Sequence, residues 1–423
     1  MPDLTYNEEL MDAMVRHQIG VLRFSTSVRN QIWKLLDATE ADIRQQIANV
    51  LRRGEPGVVT PANLQRMERL LKGIRKTRAR TWSQISKELF DEMETYAVSE
   101  TQFVASIMDT VFPVELGLTL PDPARLRAIV AKQAFNGQTI TDMLAGIEAA
   151  DIRRLEQGVR LGMTQGETIP QISRRLVGSV KFAGRDGMTE ITRRNATAMA
   201  RTMVNGVGAA SRQEFIEANK DLAPQKVFIA TLDSRTTPVC RKWDSSLHDV
   251  ETGKTVSPAH MKGQPSPILP LHIGERSLFT PAVDGEVIGE RPIRNFTQRQ
   301  LVKEFGEQEG INVKVPKGQT LNAGRDAIPH GHKGAYEAFA RQRMRELTGV
   351  VPAKTSYSQF LGRQSAQFQN DILGVTRGKL FRNGGLTLDR FVDRTGAEIP
   401  LADLAKFNAD AFRAAGLDPS AFQ

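Results

Sequence analysis

Apolar residues recur at three- and four-residue steps through most of the first hundred positions, and this spacing constrains the fold more than any other feature of the chain. Val28, Ile32, Leu35, Leu36, Ile43, Ile47, Val50 and Leu51 form one stripe. After Pro61 a second begins with Leu64, Met67, Leu70, Leu71 and Ile74, and continues through Trp82, Ile85, Leu89, Met93 and Tyr96. Residues three and four apart share one face of an α-helix, so the pattern predicts long amphipathic helices with these stripes as core. Glycine and proline in RRGEPGVV, residues 52–59, predict the turn between them.

Composition points the same way. Aromatics are only 6% of the 423 residues, whereas straight-chain residues, which lose little rotamer freedom in a helix, are plentiful. With 40% hydrophobic residues the chain can fill sizeable cores, and we expect a predominantly helical α+β protein. The single cysteine, Cys240, rules out a disulfide within the chain and fits a reducing cytoplasm. No run approaches the roughly 18 apolar residues that a membrane span needs, and the acidic start lacks the pattern of a signal peptide. The expectation is a chain neither exported by that route nor embedded.

Breaks in the pattern predict four regions. Residues 1–112 are the amino-terminal helices, and VFPVELGLTLPDP at 111–123 separates them from a helical region at 124–223 that ends in one long helix starting near Thr189. After Pro224, QKVFIATL alternates and is rich in β-formers, which predicts a strand opening a small α+β core at 224–283. Most of that core, with five prolines and little helical periodicity, reads as one long proline-rich loop. Residues 284–423 are expected to be mixed and helical. They include a helix over TSYSQFLGRQSAQFQNDIL with Tyr357, Phe360, Leu361, Phe368, Ile372 and Leu373 along one side, and a turn at Asn383, Gly384 and Gly385.

The strand runs into TLDSRTTPVCRKWDSSLH, residues 231–248, where chemistry concentrates. Thr237 before Pro238 reads as an N-cap followed by a residue suited to the first helical position, so PVCRKWD should be a short helix with Val239 and Trp243 facing inward. Asp233 and Ser234 would close the turn leaving the strand. His248, Asp244 and Asp249 are available to activate Cys240, but no cysteine-protease context surrounds it, and we expect a small buried residue and no catalytic role. Cys240, His248, His260 and His272, followed by Glu275, are potential zinc ligands; their spacing matches no signature with two close ligand pairs, and no metal or cofactor is assigned. The chain contains no phosphate-binding loop, HExxH or GxSxG motif.

The formal charge of +9 favours an anionic polymer as partner. RLLKGIRKTRARTW concentrates Arg69, Lys72, Arg75, Lys76, Arg78 and Arg80 without an acid, a candidate grip on nucleic-acid phosphates, with a solvated helix face as the other reading.

A helical half ending in AMARTMVNGV, a strand leading into ATLDSRTTPVC, a loop ending LPLHIGERS and the tail TSYSQFLGRQSAQFQNDILGVTRGKLFRNGGLTLDRFVD together resemble the phage minor head protein family, the head morphogenesis or Mu F-like proteins. The resemblance covers residues 125–395 and leaves 1–120 unmatched. It implies a minor structural protein of a bacteriophage head, associated with the portal protein and acting in head morphogenesis and DNA packaging or ejection. Several copies would sit in the virion head or neck, after assembly in the host cytoplasm, in contact with genomic DNA and with scaffold or capsid proteins. The portal would meet an amphipathic helix face, from the amino-terminal helices or the tail at 355–395.

The family's central motif falls on Asp233, Ser234, Arg235, Thr236, Thr237 and Cys240, and its closing His-x-x-Cys-Arg-Ser on His272, Arg276 and Ser277. Glu275 stands where the family commonly has cysteine, and Met203 and Val204 follow Arg201 and Thr202 where an acid is usual. These residues would form a polar turn latching the strand to the loop, with Arg235 or Arg276 paired to an acid. Because family members are sometimes fused to toxin domains, an enzymatic effector of ADP-ribosyltransferase or hydrolase type is an alternative. A DNA-binding assembly factor absent from the mature particle is another.

Overall fold

The computed structural model describes every residue except 1–5, 52–60, 113–114, 136, 183, 283–289, 353–354, 394–395 and 423. Helix α1, Tyr6–Leu51, and helix α2, Pro61–Val111, run 46 and 51 residues, and the turn expected between them at 52–59 lies outside the described residues. Their stripes meet as predicted: Val28, Ile32 and Leu36 of α1 are buried in one cluster with Trp82, Ile85, Leu89 and Met93 of α2. Helices α3 (Pro123–Lys132), α4 (Ile140–Thr164), α5 (Ile169–Val177) and α6 (Thr189–Ala218) complete the helical part. Their starts are written locally, with Asp122 capping α3 ahead of Pro123, and Thr139 and Asp142 forming a capping box on α4. Helix α6 enters the same core with Met203 and Val204, so the two positions that depart from the family pattern are packing positions here. It also comes close to its neighbours: a Cβ at Gly206 would lie 2.6 Å from the Phe135 ring.

Charges inside this part are held by partners from other helices. Asp151 of α4 accepts from Trp82 Nε1 at 3.0 Å and Thr192 Oγ1 at 2.7 Å, and lies 3.1 Å from Arg78 Nε, which ties α2, α4 and α6 together. Glu100 of α2 pairs with Arg212 of α6 and, at 2.8 Å, with His17 of α1. Burial pushes the Glu100 carboxyl up, but the Arg212 guanidinium and His17 outweigh it and hold it below the ordinary range.

Four strands follow: β1 (Gln225–Ile229), β2 (Leu247–Asp249), β3 (Lys254–Ser257) and β4 (Leu278–Ala282), in an antiparallel sheet of order β3-β2-β1-β4. Val227 and Ile229 point into a cluster with Leu10 and Met14 of α1 and Val104 and Met108 of α2. Phe228, on the opposite face, joins Cys240, Trp243 and Phe279. The sheet and the long helices therefore share a core. The expected single loop after β2 is corrected: it contains β3 and β4. At four residues β3 is too short to display a period, and in β4 Pro281 reads as a breaker although β4 is an edge strand, where proline is tolerated.

Strand β5 (Glu290–Arg294) pairs antiparallel with β6 (Thr348–Pro352), across helices Gln298–Glu309, Leu321–Asp326 and Lys333–Glu346. The tail expected as one helix is two, Tyr357–Gly362 and Ala366–Leu373, because Ser365 starts the second by accepting from Phe368 N at 3.1 Å. Its six apolar residues pack with Phe391, Leu404 and Phe412 in a carboxyl-terminal core. The apolar faces suggested for portal contact, in the tail and along α1 and α2, are thus occupied within the chain. The fold is a predominantly helical α+β fold, and among the described residues no helix is long and apolar enough to cross a membrane.

Replacing Arg212 by methionine leaves the buried Glu100 carboxylate with His17 as its remaining ion-pair partner. Chemical denaturation should show a loss of about 3–5 kcal/mol for Arg212→Met, with most of it regained when Glu100→Gln is added.

Candidate functional site

Where β1 ends the chain turns sharply, and Asp233 organises the turn. Its Oδ1 accepts from Arg235 N at 2.9 Å and Thr236 Oγ1 at 3.2 Å, the local closure expected of an aspartate here. The same carboxylate receives Arg276 in two bonds, at 2.6 and 2.9 Å, with Arg294 at 3.6 Å. Burial raises the Asp233 carboxyl, but the Arg276 guanidinium more than reverses this and brings it down to about 2. Of the two arginines considered for the pairing it is Arg276; the Arg235 side chain is exposed. Ser234 is buried in the turn, and Tyr357 Oη donates to the Asp233 carbonyl at 2.7 Å.

Helix α7, Pro238–Trp243, begins with Thr237 at the N-cap position and proline first, as expected, and Trp243 is buried while Val239 packs beside the cluster under the sheet. The Thr237 hydroxyl makes no cap bond, however. It turns instead to Cys240 Sγ and His272 Nε2, 3.0 Å from each. Cys240 Sγ lies 3.2 Å from His272 Nε2 and donates to Glu275 at 3.2 Å. His272 and Glu275 are brought together by a tight turn in which Glu275 N donates to the His272 carbonyl at 3.2 Å and Gly274 takes a φ of 74°. Glu275 also accepts from Ser277 N at 2.9 Å, which gives that buried serine its place. Burial, and then the Glu275 carboxylate, push the Cys240 thiol well above its ordinary range, an environment opposite to that of a nucleophilic cysteine.

The four metal candidates from the sequence therefore separate. Cys240 and His272 meet, and Glu275 completes a group whose ligand atoms lie within 4.8 Å of one another. His248 does not join them: it sits in β2, fully buried, with Nε2 2.7 Å from Ser246 Oγ and Nδ1 3.2 Å from Thr255 Oγ1. His260 is exposed and pairs with Asp389 at 3.2 Å. The basic run separates too. Arg78, with 0% exposure, is removed from the candidate DNA contacts, because it is spent inside the bundle on Asp151 and, at 2.7 Å, Thr39 Oγ1. Arg69, Lys72, Arg75, Lys76 and Arg80 are exposed, with Arg75 paired to Glu156.

Asp244, considered from the sequence as a partner for Cys240, belongs instead to the deepest part of the site. At the end of α7, it accepts from Ala230 N at 2.7 Å, Tyr357 N at 2.6 Å, and Arg291 of β5 at 2.7 and 3.1 Å. Arg291 also donates to the Thr355 carbonyl at 2.9 Å and to the Ala230 carbonyl. Nothing in the spacing of residues 230, 244, 291 and 357 announces the meeting.

No family model matches the chain, and neither a curated protein nor a solved structure matches it.

Burial, reinforced by the nearby Lys226 ammonium, lowers the His248 ring to about 3 from its ordinary 6.5. In that window the unfolded chain binds a proton that the folded one refuses, so the contribution to stability is fully present above pH 6.5 and is lost as pH falls towards about 3. Asp233, lowered to about 2 from 3.8, adds a second loss at more acidic pH. In urea titrations across this range, His248→Gln should flatten the upper part of the profile and Asp233→Asn the lower part.

Proposed function

We propose that the chain is a minor structural protein of a bacteriophage head, associated with the portal and acting in head morphogenesis and in DNA packaging or ejection. One observation carries this reading. Two of the four stretches on which the family resemblance rests, residues 230–240 and 269–277, form a single latch through Asp233–Arg276 and the Thr237–Cys240–His272–Glu275 contacts. Motifs that meet in a polar clasp, fixed by charge-assisted bonds from several segments, serve to hold a loop in one arrangement. That is the work expected of a head component that docks on a larger ring. The portal contact is assigned to the polar surface, since the apolar faces of α1, α2 and the tail are packed inward.

The DNA contact is assigned to the exposed part of the basic run. Arg69, Lys72, Lys76 and Arg80 fall along one side of α2 at steps of three and four, and among the described residues no carboxylate is paired with Lys72, Lys76 or Arg80. Such a row would track a phosphate backbone by releasing counterions.

Quantitative mass spectrometry of purified virions and proheads from the source of the chain tests the reading. Several copies per particle, on the scale of the portal ring, are expected. Presence in proheads alone would make the chain an assembly factor, and absence from both would overturn the head assignment in favour of an enzymatic effector. For the DNA contact, duplex binding measured against salt should weaken steeply, and Lys76→Ala with Arg80→Ala should lower the slope by about two while leaving stability within about 0.5 kcal/mol.

A further inference from the structure

Five pairs among four polar side chains at the start of α7 and in the turn before β4 are in close contact. Thr237 Oγ1 is 3.0 Å from both Cys240 Sγ and His272 Nε2; Cys240 Sγ is 3.2 Å from His272 Nε2 and 3.2 Å from Glu275 Oε1; His272 Nε2 is 3.4 Å from Glu275 Oε2. The hydrogens available do not match these contacts. The His272 Nδ1 atom is 3.0 Å from the Ile273 carbonyl, which only accepts, so Nδ1 carries a proton and the neutral ring presents a lone pair at Nε2. The hydroxyl and the thiol then supply two hydrogens for five contacts. A third, on Nε2, would still leave two contacts between lone pairs.

A cation at the centre resolves the mismatch, and the chemistry of the donors selects it. One sulfur, one imidazole nitrogen and one carboxylate oxygen are a zinc set. Bond lengths of about 2.3 Å to sulfur and about 2.0–2.2 Å to nitrogen or oxygen place the corners of a tetrahedral zinc site about 3.3–3.7 Å apart. With Glu275 Oε2 as the oxygen, the three donors, at 3.2, 3.4 and 3.4 Å, lie within a few tenths of an ångström of the edges of one tetrahedral face. The surroundings also resemble the support such sites have. The Ile273 carbonyl orients the imidazole, and Ser277 N, at 2.9 Å, and Leu271 N, at 3.3 Å, orient the carboxylate. Cys240 and Glu275 are buried while His272 is half-buried, which leaves a route from solvent.

We propose that Cys240, His272 and Glu275 hold one zinc ion, with water as the fourth ligand beside the Thr237 hydroxyl. Binding displaces the thiol proton to solvent, so affinity falls as pH falls. The ion cross-links α7 to the turn before β4, a second clasp beside Asp233–Arg276. This inference does not rest on the head assignment, because it is read on the isolated chain.

The test uses the full chain, purified without chelator or histidine tag. Elemental analysis should find about one zinc per chain, and EDTA should remove it with a fall in melting temperature that zinc alone restores. Cobalt reconstitution should give a thiolate-to-cobalt charge-transfer band together with tetrahedral ligand-field bands. Cys240→Ser, His272→Asn and Glu275→Gln should each weaken zinc binding at least tenfold, whereas His260→Asn should not. Less than about a tenth of an equivalent after incubation with zinc, in protein whose circular dichroism shows it folded, would overturn the proposal. So would a cobalt spectrum lacking the sulfur band, or stoichiometric zinc surviving in a Cys240→Ser, His272→Asn double variant.

Discussion

Asp244 and Arg291 form the buried ion pair on which the arrangement of the site depends. Both are about 1% exposed or less at the side chain, and they gather the end of β1, the end of α7, strand β5 and the start of the Tyr357–Gly362 helix into one network. Two charges removed from water are tolerable only when each finds close partners, and either one alone would cost several kcal/mol. Here the carboxylate accepts from two backbone N–H groups as well as the guanidinium, and the guanidinium reaches two further carbonyls. A network this well satisfied admits few alternative packings. Because Asp244 ends α7, the same pair fixes the direction of that helix and the position of Thr237 and Cys240 at its other end.

The carboxyl-terminal region is therefore part of the site. Arg291 and Arg294 come from β5, and Tyr357 contributes its backbone N–H to Asp244 and its hydroxyl to the Asp233 carbonyl. On the opposite face of the sheet, Val227 and Ile229 rest on the ends of α1 and α2. The latch thus stands between two large cores and is held from both sides. A clasp so placed joins the long helices to the carboxyl-terminal core.

Much of this was legible in the sequence wherever structure is decided by near neighbours. The period of α1 and α2 repeats over dozens of residues, which makes the stripes unambiguous. Thr237 before Pro238 and the aspartate that closes the turn at 233 are local chemistry, and both fall where expected. β3 and β4 were not legible, because such short strands owe their existence to β2 and β1 beside them. Nor was the break between the two tail helices, where a serine cap competes with a continuous apolar stripe.

The sequence by itself determined the helical class, the strand that opens the small sheet, and the turn chemistry at its end, since each is written in residues within a few positions of one another. Only the tertiary structure decided which charges are spent inside. Arg78 is buried against Asp151 while Lys76 and Arg80, two positions to either side, are exposed, a distinction made by a carboxylate more than seventy residues away. It also decided that His272 and not His248 meets Cys240, and that Arg276 and not Arg235 meets Asp233. Those choices depend on contacts between distant segments, where spacing along the chain carries no information and the need to pair each buried polar group settles the outcome.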